Sequence, residues 1–136
     1  MSEEQSDLNI LDKKVGDKEP TKKTLNPAKV TIASVVIKTK KANDEDMKTP
    51  LAQFMVKHPD SDDLITLSKV KYIEGDNIVA KSLWVQLDED ENIQKSSAID
   101  IVLSKLGCST LAETYGKQID TVEESDKSSY LCLKAY

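Results

Sequence analysis

One stretch limits the fold more than any other: residues 82–106, SLWVQLDEDENIQKSSAIDIVLSKL. It changes period part-way. Leu83, Val85 and Leu87 alternate with Ser82, Trp84 and Gln86, the pattern of a strand with one buried face. Ile99, Val102, Leu103 and Leu106 then recur at helical spacing. Ser97 and Asp100 stand three apart, a capping-box spacing with Asp in the place of Glu or Gln. Gly107 follows where a helix C-terminus takes positive φ. A strand, an acidic turn and a short helix over 97–106 are therefore expected, with the helix packed on a sheet. Trp84, the one Trp, points away from the buried strand face. We prefer a structural reading for it, half-covered by a loop, because Trp is heavily buried on average. The other reading leaves it available to a partner.

The acidic turn, Asp88-Glu89-Asp90-Glu91-Asn92, matches three ligand positions of a calcium loop. Ile93 then stands where the sharp turn needs Gly, and Ile99 where a bidentate Glu closes the site. It reads as a solvated turn before a helix N-terminus that favours negative charge. No metal or other cofactor is expected.

Strand-like segments lie on both sides. Lys29–Lys38 (KVTIASVVIK) is rich in Val, Ile and Thr, with apolar residues on both faces, which predicts a strand buried on both sides. Thr39–Thr49 reads as a long polar connection whose sign reverses from Lys38, Lys40 and Lys41 to Asp44, Glu45 and Asp46. Leu51–His58 is a second strand facing inward through Ala52, Phe54 and Val56. Leu64–Ile73 is a third, on which Lys69 and Lys71 share a face with Ile65, Leu67 and Ile73. The turn cluster Glu74-Gly-Asp-Asn77 leads into a fourth, Ile78–Leu87. Thr110 and Glu113 cap a short helical turn over 110–115 that Gly116 stops. Lys117–Val122 and Ser129–Tyr136 are the last strands. The expected class is α+β and mainly β. It is a small OB-like barrel or curled antiparallel sheet of five or six strands with one inserted helix.

The chain of 136 residues has room for one ordinary domain. Residues 1–28 read as a disordered N-terminal tail, polar and near neutral, with a small apolar knot at Leu8, Ile10 and Leu11. Residues 29–136 read as one β-rich domain. No run is long and apolar enough for a membrane span or a signal segment, which predicts a cytoplasmic protein with no membrane partner. Cys108 and Cys132 have no metal-ligand spacing and read as reduced and buried. His58 is the only His and has no partner in a catalytic spacing, so no enzyme is expected. Oligomeric state is not legible.

The net charge is −5, and all 19 basic residues are Lys. Without Arg the chain lacks the guanidinium forks that read guanine and phosphate bidentately. Base-specific duplex recognition is disfavoured. Lys can still hold a phosphate backbone as a point charge.

The succession of a Trp-containing strand (Leu83–Leu87), a Ser-led helix ending in Leu-Gly (Ser97–Gly107), a Thr-Leu-x-Glu turn, Gly116-Lys117 at a strand head and a terminal Lys-Ala-Tyr resembles small phage- or plasmid-type single-stranded-DNA-binding proteins with an OB-like barrel. The match is in the order of element types and covers about residues 29–136. It places the helix after the third barrel strand if the Leu64–Leu87 hairpin is one bent strand or an insertion. The resemblance implies non-specific single-strand binding by Lys and stacked aromatics. The implied residues are Lys38, Lys40, Lys41, Lys69, Lys71, Tyr72, Lys81 and Trp84. The alternative is a protein-interaction or inhibitor module that uses the acidic turns or a sheet face.

Overall fold

The computed structural model describes Leu11, Lys14, Val15, residues 25–126 and residues 128–136. The apolar knot at Leu8 and Ile10, and most of the tail, lie outside the described residues. Among the described residues there are eight strands: β1 (Val30–Lys40), β2 (Asp46–Lys57), β3 (Ile65–Leu67), β4 (Lys69–Glu74), β5 (Asn77–Ser82), β6 (Gln118–Ile119), β7 (Thr121–Ser125) and β8 (Ser128–Lys134). One helix, α1 (Ala98–Leu106), and a 3-10 turn (Ala112–Thr114) fall between β5 and β6. The strands form two four-stranded sheets, ordered β3-β2-β1-β6 and β5-β4-β8-β7. Every pairing is antiparallel except β4 with β8, which is parallel. The protein is thus a small, barrel-like α+β fold of two curled half-barrels.

The two sheets are stitched by segments that leave one and enter the other. The expected third strand breaks at Ser68. Before the break, Leu67 pairs with Phe54 of β2; after it, Lys69 pairs with Ser82 of β5. The expected fifth strand breaks at Asp120, with Ile119 paired to Val30 and Thr121 paired to Leu133. The chain after β5 crosses in the other direction. Leu83 N–H donates to Ser68 O (2.9 Å), Ala52 N–H to Leu83 O (2.8 Å) and Val85 N–H to Pro50 O (2.8 Å). Each break keeps the backbone groups paired while the partner changes, as a buried backbone requires.

The core is apolar and draws on both sheets and the helix. Ile32, Phe54, Val56, Val70, Leu83, Ile99, Val102 and Leu133 are fully buried. Side chains on β2 alternate as expected, with Ala52, Phe54 and Val56 inward. On β1 the expectation of burial on both faces fails. Val30 and Ile32 are buried, but a register shift follows between Ile32 and Ser34, and Val36 and Ile37 are 47% and 43% exposed. The physical reason is that β6 pairs only with Val30 and Thr31, which leaves the rest of β1 as an edge. β1 and β2 continue as a two-stranded arm past the barrel, so the polar connection shrinks to a short turn around Lys41–Glu45.

Helix α1 follows its signals closely. Ser97 Oγ accepts from Asp100 N–H (3.3 Å), and the Asp100 carboxylate accepts from Ser96 N–H (2.7 Å). Gly107 takes φ 68°, and the Cys108 N–H donates to Leu103 O (2.8 Å), closing the helix. Ile99, Val102 and Leu103 face the core. In the acidic turn Asp88 has a local role. Its carboxylate accepts from Asp90 N–H (2.9 Å) and Asn92 N–H (3.0 Å). Cys132 is buried, and burial pushes its thiol pKa up; Cys108, expected buried, is only half so.

His58 is fully buried at the end of β2. Its Nδ1 accepts from Asp60 N–H (3.0 Å), so its proton sits on Nε2, which donates to Asn26 O (2.7 Å). Residues 25–28, on the tail side of the sequence boundary, are therefore tied down twice. Thr121 Oγ1 donates to Ala28 O (2.7 Å) and accepts from Ala28 N–H (2.8 Å). His58→Ala opens a cavity and orphans both backbone partners. It should lower unfolding stability by about 2–4 kcal/mol, read as a drop in urea midpoint at unchanged slope. A loss under about 0.5 kcal/mol would show that the tie carries no stability.

Candidate nucleic-acid interface

The residues singled out from the sequence fall in three places. The first is the arm side of the barrel. Register sets Lys38 opposite Leu51, and Leu51 opposite Trp84. Directly opposed residues share a face, so Lys38, Leu51 and Trp84 form one row across three strands. Trp84 is 41% exposed, more open than the loop-covered reading expects. With Lys41, Met47, Lys48, Thr49 and Gln86 it lines a cleft of about 380 Å³ along the arm. Lys40 lies next to this cleft in sequence and is held by Asp46 at 3.2 Å. Both partners are well exposed, so this ion pair is weak and exchangeable.

The second place adjoins the first. Trp84 and Gln86 also line a cavity of about 270 Å³ that contains Tyr72, Lys81 and the N-terminal residues Ser96, Ser97 and Ala98. Val70 lies opposite Lys81, so Lys81 shares the face of Val70 and Tyr72. Tyr72 is buried. Its hydroxyl donates to Glu74 Oε2 (3.0 Å), and the Lys81 ammonium lies 5.8 Å over its ring. Lys81 also bonds Glu74 Oε2 at 3.0 Å. Tyr72 therefore offers a base little free ring; it orders the charges around it.

The third place is the opposite face of β4. Lys69 and Lys71 alternate with buried Val70 and Tyr72, so they point away from Lys81 and Tyr72. Each is already engaged. Lys69 bonds Glu124 Oε1 at 2.7 Å and lies 5.8 Å over the Tyr130 ring. Lys71 donates to Glu123 O (3.0 Å). The eight residues thus do not make one surface. Lys38, Lys41 and Trp84 come together, Tyr72 and Lys81 adjoin them, and Lys69 and Lys71 lie behind. Sequence reasoning passed over Lys48 and Gln86; Lys48 alternates with Met47 on a segment read as loop, which hid its place in the cleft.

Among the described residues no group of three or more His, Cys, Asp or Glu is placed to hold a metal ion, and no helix is long and apolar enough to cross a membrane. The fold defines the class: a small barrel-like α+β protein with a Trp-Lys cleft along a hairpin arm. No known protein family, curated protein or solved structure matches the chain.

Glu74 is held below its ordinary 4.5, first by its hydrogen bond with Lys81 and then by Tyr72. Lys81 is raised above 10.5, first by Glu74. Stability from a carboxyl with a lowered folded pKa is present above the unfolded value and lost as pH falls through the folded one. For an ammonium with a raised pKa it is present below the unfolded value and lost as pH rises through the folded one. The pair therefore contributes between these limits. Wild type should lose stability as pH falls below about 4.5, and Glu74→Gln should lose less between pH 7 and pH 3, read from urea midpoints. Equal losses would mean that solvent screens the pair out.

Proposed function

We propose that the protein is a non-enzymatic binding module that takes single-stranded nucleic acid across the face of Trp84, without reading its sequence. The observation that carries the reading is the row Lys38–Leu51–Trp84 opening into the cleft with Lys41 and Lys48. An exposed indole offers a flat face on which any base stacks. Lys ammonium groups on either side suit phosphates as point charges and confer no base preference. The absence of Arg fits binding that is blind to sequence. The barrel-like fold supports the reading, since small barrels of the OB type bind oligonucleotides on a strand face and in the loop between the first two strands. Here that loop closes the arm beside Lys41.

A second reading, a protein-interaction module, has one observation in its favour. Ile73 and Ile78 face each other across the β4–β5 hairpin and are 58% and 51% exposed. Paired exposed isoleucines on a sheet face suit an apolar partner surface.

The two readings separate in a titration of labelled oligothymidine, followed by anisotropy and Trp84 fluorescence at two salt concentrations. Single-strand binding should weaken with salt and quench Trp84. Trp84→Ala should cost about 1–3 kcal/mol of binding, and Lys41→Gln with Lys48→Gln should flatten the salt dependence. Binding that survives unchanged in a folded Trp84→Ala protein removes this cleft from the site. No binding to wild type at micromolar protein and low salt leaves the apolar hairpin face as the surface to pursue.

A further inference from the structure

The cleft at Trp84 does not end there. Trp84 and Gln86 line both the 380 Å³ cleft and the 270 Å³ cavity, and Tyr72, Lys81 and Ser96 line both that cavity and a third of about 780 Å³. The third opens between α1 and the Tyr72 face of sheet two, and Lys105 and Tyr136 lie along it. The three form one trench, whose far section is the largest.

We propose that a bound single strand leaves the Trp84 cleft past Lys81 and runs along α1 to a second contact at Lys105 and Tyr136. This rests on the single-strand reading above and adds the path and the extent of the site. Charge decides the direction. On the opposite face of β4, the ammonium groups of Lys69 and Lys71 are taken by Glu124 and by the Glu123 carbonyl. Along the trench Lys81 is paired as well, with Glu74, and the two acids are held locally. Glu74 is bonded by Lys81 and by the Tyr72 hydroxyl, and Asp100 accepts from Ser96 N–H (2.7 Å) and from the Ser104 hydroxyl (3.4 Å). Lys105 makes no ion pair among the described residues and stands in the last helical turn, open to a phosphate. At the far end the Lys134 ammonium lies 4.9 Å over the ring of Tyr136. Unlike buried Tyr72, Tyr136 is partly exposed, so its ring is open to a base while Lys134 places a cation beside it. Trp84 and Tyr136 would then be the two stacking platforms, with Lys105 between them.

The test is dependence on strand length. Oligothymidines of about four and about twelve nucleotides, spanning the range of single-barrel sites, are titrated against the full chain. The variants are wild type, Lys105→Gln combined with Tyr136→Ala, and Lys117→Gln as a charge control outside the trench. Denaturation midpoints verify that each variant is folded. The double variant should bind the long strand about five- to tenfold more weakly and the short strand as wild type does. Lys117→Gln should change both less than about twofold. An unchanged long-strand affinity in a double variant whose parent needs Trp84 overturns the path and leaves the Trp84 cleft standing. Equal losses for both lengths also overturn it, because then the residues act through the general field or the fold. Failure of wild type to bind either strand removes the single-strand reading itself, and the path with it.

Discussion

Barrel closure in this protein depends on backbone hydrogen bonds that change partner without lapsing. The Leu83 N–H to Ser68 O bond is the clearest case, because it joins the two points at which neighbouring segments switch sheets. Were either segment to continue straight, β2 would lose part of its outer pairing, to β3 or to the Leu83–Val85 segment. Leu83 marks the junction with a fully buried side chain, and the next residue, Trp84, is thereby turned outward beside Leu51. The geometry that closes the core is the same geometry that exposes the indole.

This explains which parts of the fold were legible. Helix α1 was, because its determinants are local: Ser97, Asp100 and Gly107 lie within a turn of the backbone groups they satisfy. The inward face of β2 was, because period two survives wherever one face stays buried. The breaks at Ser68 and Asp120 were not. Neither Ser nor Asp announces a change of partner strand, and the partners are far away in the chain. The warning was present only indirectly, where Lys69 and Lys71 appeared on the face of Ile65 and Leu67. Leu67 and Val70 are both buried, so the parity of the strand flips at Ser68, and the lysines follow it outward. His58 was passed over for the same reason. Asn26, its partner, is 32 residues away, and a lone His in a sequence carries no sign of a carbonyl waiting for it.

The candidate site was legible as a set of residue types but not as a surface. Lys and aromatic residues on adjacent strands were read as one group, which assumed that each predicted strand keeps its face from end to end. Parity separates them. Lys81 and Tyr72 share the face of Val70, while Lys69 and Lys71 take the other. Tyr72, an apparent stacking residue, is consumed by Glu74 and Lys81, and the open indole is that of Trp84. Burial, which composition cannot show, decides which ring is a platform and which is a strut.

An acidic chain with a lysine cleft is not a contradiction, because at physiological salt the field of an exposed charge is screened within about 8 Å. Several of the acids here are engaged locally. Asp88 organises its own turn, Asp100 the helix entry, and Glu74 and Glu124 single lysines. What a ligand meets is the local balance. Around Trp84 the cleft-lining side chains are Lys41, Lys48, Met47, Thr49 and Gln86, with no carboxylate among them. The net charge of −5 is a sum over the whole chain and does not describe the cleft. A composition that disfavours base-specific duplex reading thus coexists with a cleft whose lining carries an indole and lysines but no carboxylate.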